Sequence, residues 1–222
     1  MAVSPRAFVL RHTRLRPVPE MEAIRLHLAD DLLPVWRALQ VETADREAAL
    51  PYWAAAWGGG LAIARHLAEH PEIVAGRRVY DLASGTGLCA IAAGLAGAAH
   101  VEAVDIDRFA AAAIALNARA NGCRVDVTRR DALGDPPPDV NVLLAGDCWY
   151  EADLAARVLP WLRAAQAQGI EVLVGDPGRV YLPTDALIEL AAYDVRTTSD
   201  VEDLAFRTAR VYRLAEMATG AP

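Results

Sequence analysis

From residue 77 onward this chain alternates short apolar strands with helical stretches, and most of the strands close on an acid or a glycine. Strand signals fall at 78–82, 101–104, 124–128, 140–144 and 169–174. Helical signals lie between them at 87–98, 109–120 and 154–168. The alternation predicts an α/β fold with a doubly wound, mostly parallel sheet, because parallel neighbours need a crossover and a helix supplies it. A helix over 184–192 and an antiparallel hairpin of 195–198 with 205–214 are expected to close the sheet.

The upstream part reads differently. Residues 1–19 suggest an edge strand or extended arm, and 20–28 a helix with acids in its first turn. A short helix through Leu39 follows Asp30 and Asp31, with Trp36 facing inward, and 61–70 has helical spacing closed by Pro71. The expected organisation is one structural unit: an N-terminal extension over 1–70 packed on a core over 71–222.

In a doubly wound sheet, ligands bind beyond the carboxyl ends of the strands. After the first strand comes Asp81-Leu82-Ala83-Ser84-Gly85-Thr86-Gly87, where Gly85 and Gly87 let the backbone pass close under a ligand. A dinucleotide fingerprint needs a third glycine, which is missing, and this argues against a pyrophosphate and against NAD. After the second strand come Asp105 and Ile106. A carboxylate at Asp105 suits the two hydroxyls of a ribose. After the third come Asp131 and Ala132, positioned for the exocyclic amine of adenine. Each acid alone also reads as a helix cap or turn residue. Together they describe a nucleoside pocket with no phosphate cradle, which S-adenosylmethionine fits.

The fourth strand is followed by Gly146-Asp147-Cys148-Trp149-Tyr150. A carboxylate and two rings can align an amine: the rings attract its cation and Asp147 orients it or takes its proton. Trp149 and Tyr150 also read as rings that cap the core. Trp53 and Trp57 flank an alanine run and read either as core or as a lid over the adenosine. Arg179, in the loop after the fifth strand, reads either as a solvated arginine or as a clamp on an acidic partner surface.

Composition narrows the partners. Lys+Arg is 22 against 29 acids, a net charge of -7, and every one of the 22 is arginine. An acidic chain is a poor match for phosphate neutralisation, so no nucleic-acid partner is expected. The longest apolar run, 88–99, is too short to span a bilayer, so no membrane is expected either. Arg6, Arg11, Arg14 and Arg16 imitate an organelle presequence, but Pro17 and Pro19 interrupt any amphipathic helix there. Cys89, Cys123 and Cys148 have no zinc spacing and read as reduced thiols of a cytoplasmic protein.

The motifs occur in a telling order: Pro51-Tyr52-Trp53-Ala54 through Trp57-Gly58-Gly59-Gly60, the 81–87 turn, Leu116-Asn117 with Asn121-Gly122, Asp147-Cys148-Trp149-Tyr150, and Gly175-Asp176-Pro177-Gly178-Arg179. In this combination the chain resembles the lysine methyltransferases of methyltransferase family 16, above all those acting on the electron transfer flavoprotein β-subunit and their bacterial relatives. The likeness runs from about residue 10 to 214. It implies a class I, Rossmann-like methyltransferase whose seven-stranded sheet ends in an antiparallel hairpin. It implies S-adenosylmethionine as cofactor, Asp105 on the ribose, Asp131 near adenine, and Asp147 with Tyr150 at the acceptor lysine, Trp149 taking the place of another aromatic. The acceptor it implies is the flavoprotein β-subunit or a ribosomal protein. A monomer is expected, although no sequence feature fixes the oligomeric state. Ala83 departs from the glycine common in class I enzymes, which is tolerable if its φ stays negative. Two rivals stand beside this: a small-molecule amine N-methyltransferase of nicotinamide type, and a non-catalytic nucleoside-binding subunit.

Overall fold

The computed structural model describes residues 3–196 and 207–216. Among these a seven-stranded sheet forms from β3 (Arg78–Leu82), β4 (His100–Asp105), β5 (Asp126–Arg129), β6 (Val142–Gly146), β7 (Glu171–Asp176), β8 (Leu187–Val195) and β9 (Arg207–Leu214). Its order is β5-β4-β3-β6-β7-β9-β8, with β5 through β7 parallel and β9 antiparallel to both its neighbours. The α/β sheet and its closing hairpin are therefore as expected. The hairpin partner differs: β8 occupies most of the stretch read as a helix over 184–192, preceded by a single 3-10 turn at Thr184–Ala186. Pairing of Leu187–Val195 along β9 overrides the local helical signal. Part of the expected hairpin, 197–206, lies outside the described residues.

Helices α4 (Leu88–Leu95), α5 (Arg108–Ala120) and α6 (Ala152–Ala167) supply the crossovers. One apolar cluster unites Val79, Val101, Val142 and Leu144 of the sheet with Ile91 and Ile114 from α4 and α5. The opposite face packs Tyr80, Leu143 and Val172 against Val158, Trp161 and Leu162 of α6. No helix among the described residues is long and apolar enough to cross a membrane. Cys89, Cys123 and Cys148 are free thiols, two of them buried.

The N-terminal part corrects two expectations. The arm contains α1 (Pro5–His12), capped by Ser4 and started by proline at the first helical position. The expected helix over 20–28 is instead β2 (Met21–Leu28), paired antiparallel with β1 (Arg14–Val18). Ile24, Leu26 and Leu28 are buried while Ala23 before them and Arg25 between them are exposed, a period of two that outweighs the acids at the start. Side chains of α5 stitch β2 down: Asn117 Oδ1 accepts from the His27 N–H at 2.7 Å and its Nδ2 donates to the Thr86 carbonyl at 2.8 Å. Asn121 bonds both backbone groups of Arg25. α2 (Leu32–Thr43) is capped by Asp31 and buries Leu32, Val35 and Leu39, with Trp36 half-buried. α3 (Gly58–Glu69) packs on α4, β7 and β9, so this segment shares the core of the sheet.

Candidate active site

The turn after β3 is built by backbone conformation. Ala83, Gly85 and Gly87 have φ of 51°, 53° and 83°. At Gly87 a Cβ would also lie 3.1 Å from Ile114, so α5 and the turn pack only around a glycine. Ala83 overturns the expectation of a negative φ. Its methyl group sits in left-handed backbone, a strain of about 1 kcal/mol.

A buried carboxylate, Asp81, and a half-buried one, Asp105, close the floor. Asp81 Oδ2 accepts from Ser84 Oγ at 2.5 Å and from the Ala90 N–H at 3.1 Å. Burial nevertheless pushes its pKa up to about 7, with Asp105 nearby adding to the rise and the two hydrogen bonds opposing it. Asp105 accepts from the Gly85 N–H on one oxygen and the Asp107 N–H on the other, each at 2.9 Å, and burial raises its pKa too. The remaining lone pairs of a carboxylate so fixed can take two hydroxyls. Ile106 follows, 69 % exposed against the cleft. Asp131 caps a short turn through the Leu133 N–H at 3.1 Å and pairs with Arg157 at 2.6 Å, which holds its carboxyl below the usual range. The adjoining Ala132 is buried in the cleft wall.

The cleft above this floor has a volume of about 840 Å³, within the range of small-molecule sites. Leu39, Thr43 and Leu50 of the extension form part of its wall, together with Tyr52, Trp53 and Trp57. Trp57 is half-buried and donates through Nε1 to the Tyr52 carbonyl at 2.7 Å, whereas Trp53 is buried and stacks on Phe109. Trp57 thus serves the cleft, and Trp53 serves the core as well.

Beyond β6 the backbone turns sharply at Asp147, whose φ is 58°. Strain of this kind, held by its surroundings, is common at functional residues. The Asp147 N–H donates to the Gly175 carbonyl at 2.9 Å, and its Oδ2 accepts from the Gly60 N–H at 2.7 Å, in the first turn of α3. A helix start favours negative charge there. Its Oδ1 pairs with Arg179. Arg179 also lies 3.3 Å from Asp176, whose Oδ1 accepts from the N–H groups of Gly178 and Arg179 at 2.7 Å each. Burial raises the Asp176 pKa. Arg179 therefore faces inward to two carboxylates of its own chain, so it is not a solvated loop arginine.

Tyr150 stands at the cleft, 40 % exposed, with its ring centroid 5.1 Å from that of Tyr52; Tyr52 in turn lies 5.6 Å from Trp57. Burial raises the hydroxyl pKa of both tyrosines. Trp149 is elsewhere. It is fully buried in the α6 face of the core and takes no part in the cleft wall. The side chains at 149 and 150 diverge, and the larger apolar ring goes to the core. The second ring expected beside Tyr150 is therefore Tyr52. Its signal lay in the Pro51-Tyr52-Trp53 motif, overshadowed by the two tryptophans.

Over 217 residues the chain is 34% identical to the electron transfer flavoprotein β-subunit lysine methyltransferase of Xenopus laevis, covering 95% of this chain and 87% of that one. The chain belongs to the family of that enzyme. The rat enzyme of the same name is 35% identical over 168 residues, 73% of this chain and 66% of its own length. The ribosomal protein L11 methyltransferase (PrmA) family model matches residues 67–145. A solved ribosomal protein L11 methylase from Lactobacillus delbrueckii subsp. bulgaricus superposes with a TM-score of 0.50 at 19% identity, over 69% of this chain and 77% of that one, and shares the fold. This family member is accordingly a class I methyltransferase. The PrmA match spans the 81–87 turn, Asp105 and Asp131 and stops before Asp147, so the broad likeness covers the floor of the cleft and the family likeness extends to the Asp147 end.

Proposed function

We propose that the enzyme transfers a methyl group from S-adenosylmethionine to a protein lysine, with the flavoprotein β-subunit as first candidate acceptor and a ribosomal protein as second. The observation that carries this is one carboxylate, Asp147, in the wall of the same cleft as the Tyr150, Tyr52 and Trp57 rings, beside a nucleoside floor made by Asp81, Gly85 and Asp105. The names of the relatives support the acceptor class. On this reading 1–70 is an extension that walls the cofactor cleft of the 71–222 core, and the enzyme works as a cytoplasmic monomer.

The donor set fits the cofactor. The paired lone pairs of Asp105 suit a ribose, the Asp131–Ala132 corner suits adenine, and the floor acids suit a cation. Bound S-adenosylmethionine supplies an electrophilic methyl group on a positively charged sulfur. The protein's task is to deliver a neutral amine. A free lysine has a pKa near ~10.4, so about 0.1% is nucleophilic at neutral pH. Withdrawal from water against Tyr52, Tyr150 and Trp57 favours loss of that proton, Asp147 holds the amine in line, and the rings stabilise the cation that transfer regenerates.

The test is transfer of labelled methyl to proteins of a native lysate, with mass spectrometry of each labelled band. Methyllysine on the flavoprotein β-subunit or a ribosomal protein supports the reading and chooses the acceptor. Absence of labelled protein from a preparation that binds the cofactor overturns it in favour of a small amine.

A further inference from the structure

Asp147 has two oxygens, and both are engaged within the chain. Oδ2 is fixed by the Gly60 N–H at the start of α3, a backbone group that cannot leave without moving the helix. Oδ1 is engaged by a side chain, the guanidinium of Arg179, which is itself only 18 % exposed beside an Asp147 side chain exposed 12 %. A guanidinium is a cation on a long stem, as is a lysine ammonium, but it keeps its proton far above neutral pH and is a poor nucleophile.

We propose that Arg179 is a resident stand-in for the acceptor, filling the ammonium subsite on Asp147, and that an acceptor lysine reaches this carboxylate by displacing it. The proposal rests on the reading of Asp147 and Tyr150 as the acceptor site. It makes Arg179 a specificity-determining residue, since an incoming amine must outcompete a cation that is already tethered in place.

The surrounding geometry supplies the alternative position that displacement requires. Arg179 already lies 3.3 Å from Asp176, and the Asp176 carboxylate is locked by the N–H groups of Gly178 and Arg179. When a lysine takes Asp147, Arg179 keeps Asp176 and no charge is stranded. Stranding one in a buried site is what normally makes such an exchange costly. Two carboxylates then face two cations, where before they shared one. A dilute free amine lacks the binding energy to drive this exchange. A protein that docks around its lysine has it, because contacts remote from the reacting atom can be spent at the site.

The probe is n-butylammonium, which carries the lysine head group with no protein attached. Its binding is read by calorimetry on the cofactor-loaded enzyme as wild type, as Arg179→Met and as Arg179→Met with Asp147→Asn. Wild type is expected to bind weakly, Arg179→Met about tenfold more tightly, and the double variant no better than wild type, a tenfold change being about 1.4 kcal/mol. Arg179→Gln, which keeps a donor for Asp176, is the second variant and should follow Arg179→Met if the latter folds poorly. In transfer assays either variant should lower KM for a protein acceptor while kcat stays within about twofold; a permanent strut under Asp147 would instead lower kcat. Equal butylammonium affinity in wild type and in a folded, cofactor-binding variant overturns the proposal. Butylammonium binding does not depend on which protein is methylated, so failure of the lysate assay and failure of this one are separate results.

Discussion

Asp105 and Asp147, at opposite ends of the cleft, are held by different means. On the proposed cofactor side Asp105 is gripped by two backbone N–H groups and Asp81 by the Ala90 N–H and the adjacent Ser84. On the proposed acceptor side Asp147 is gripped by one backbone N–H and one side-chain guanidinium, on a residue whose own backbone is strained. Backbone-held groups are preorganised and need little from distant parts of the chain, which suits a cofactor shared across many enzymes. Side-chain-held groups can be exchanged, which suits a site that must choose one amine among many. The PrmA match includes Asp105 and ends before Asp147.

The comparison breaks most severely where the two halves are bolted together. A Cβ on Gly59 would overlap the Gly175 carbonyl and come within 2.7 Å of Asp147 Oδ2. Gly59→Ala must therefore lift the start of α3 from β7 and take the Gly60 N–H away from Asp147. Overpacking of rigid backbone costs about 3 kcal/mol or more. The expected result is a large fall in Tm or a failure to accumulate as folded protein, read by circular dichroism. A folded Gly59→Ala with wild-type Tm would mean that α3 and β7 do not approach this closely.

The next effect separates the halves directly. Asp147→Asn should lower kcat roughly 100-fold, the scale of a lost proton-handling group, while the Kd for S-adenosylmethionine moves less than about threefold. Asp105→Ala should do the reverse, weakening the cofactor roughly tenfold or more through two lost hydroxyl contacts. Isothermal titration with single-turnover transfer distinguishes the two. If both variants lose cofactor and rate in parallel, the cleft works as one unit and the division fails.

This division also decides what could be read in advance. The strand–helix alternation of the core and the floor acids were legible because strand periodicity, a glycine turn and acids after the strands are local signals. Strand β2 was misread as a helix because Glu20 and Glu22 mimic a helix start, although Ile24, Leu26 and Leu28 alternate. β8 was misread because its strand character comes from β9 rather than from its own sequence. On the acceptor side the members were visible and their geometry was not. Nothing in Asp147-Cys148-Trp149-Tyr150 says that Trp149 turns to the core, that Tyr52 comes from a hundred residues away, or that Arg179 folds back on Asp147. Those are tertiary pairings, written in which side chains meet rather than in any spacing.

A smaller effect sharpens the electrostatics of the floor. The folded pKa of Asp81, about 7, lies above its ordinary value of 3.8, so the fold favours the neutral carboxyl. Its contribution to stability is therefore lost as pH rises from 3.8 through about 7, and Asp81→Asn should flatten that decline in protein without cofactor. A cationic ligand reverses the preference by favouring the carboxylate. Affinity for S-adenosylmethionine should rise with pH and level off above about 7, by up to about tenfold between pH 6 and 7, with proton uptake by buffer detected calorimetrically. A pH-independent Kd would place the cofactor's charge away from Asp81.

The smallest predicted effect bears on why the cofactor floor is as strained as it is. Ala83 adopts φ 51°, a conformation that costs an alanine about 1 kcal/mol and a glycine almost nothing. Its side chain is exposed to the cleft and takes no part in the buried core, so removing the methyl group forfeits little packing. Ala83→Gly should then raise Tm by about 2–4 °C for a chain of this size, although the freer unfolded glycine returns part of the gain. The Kd for the cofactor should stay within about twofold, because the bonds at Gly85 and Ser84 are unchanged. A fall in Tm would show that entropy in the unfolded chain outweighs the strain at position 83. A rise in Tm with weakened cofactor binding would show that the methyl group itself touches the ligand, so that the strain serves binding rather than being a tolerated departure from glycine.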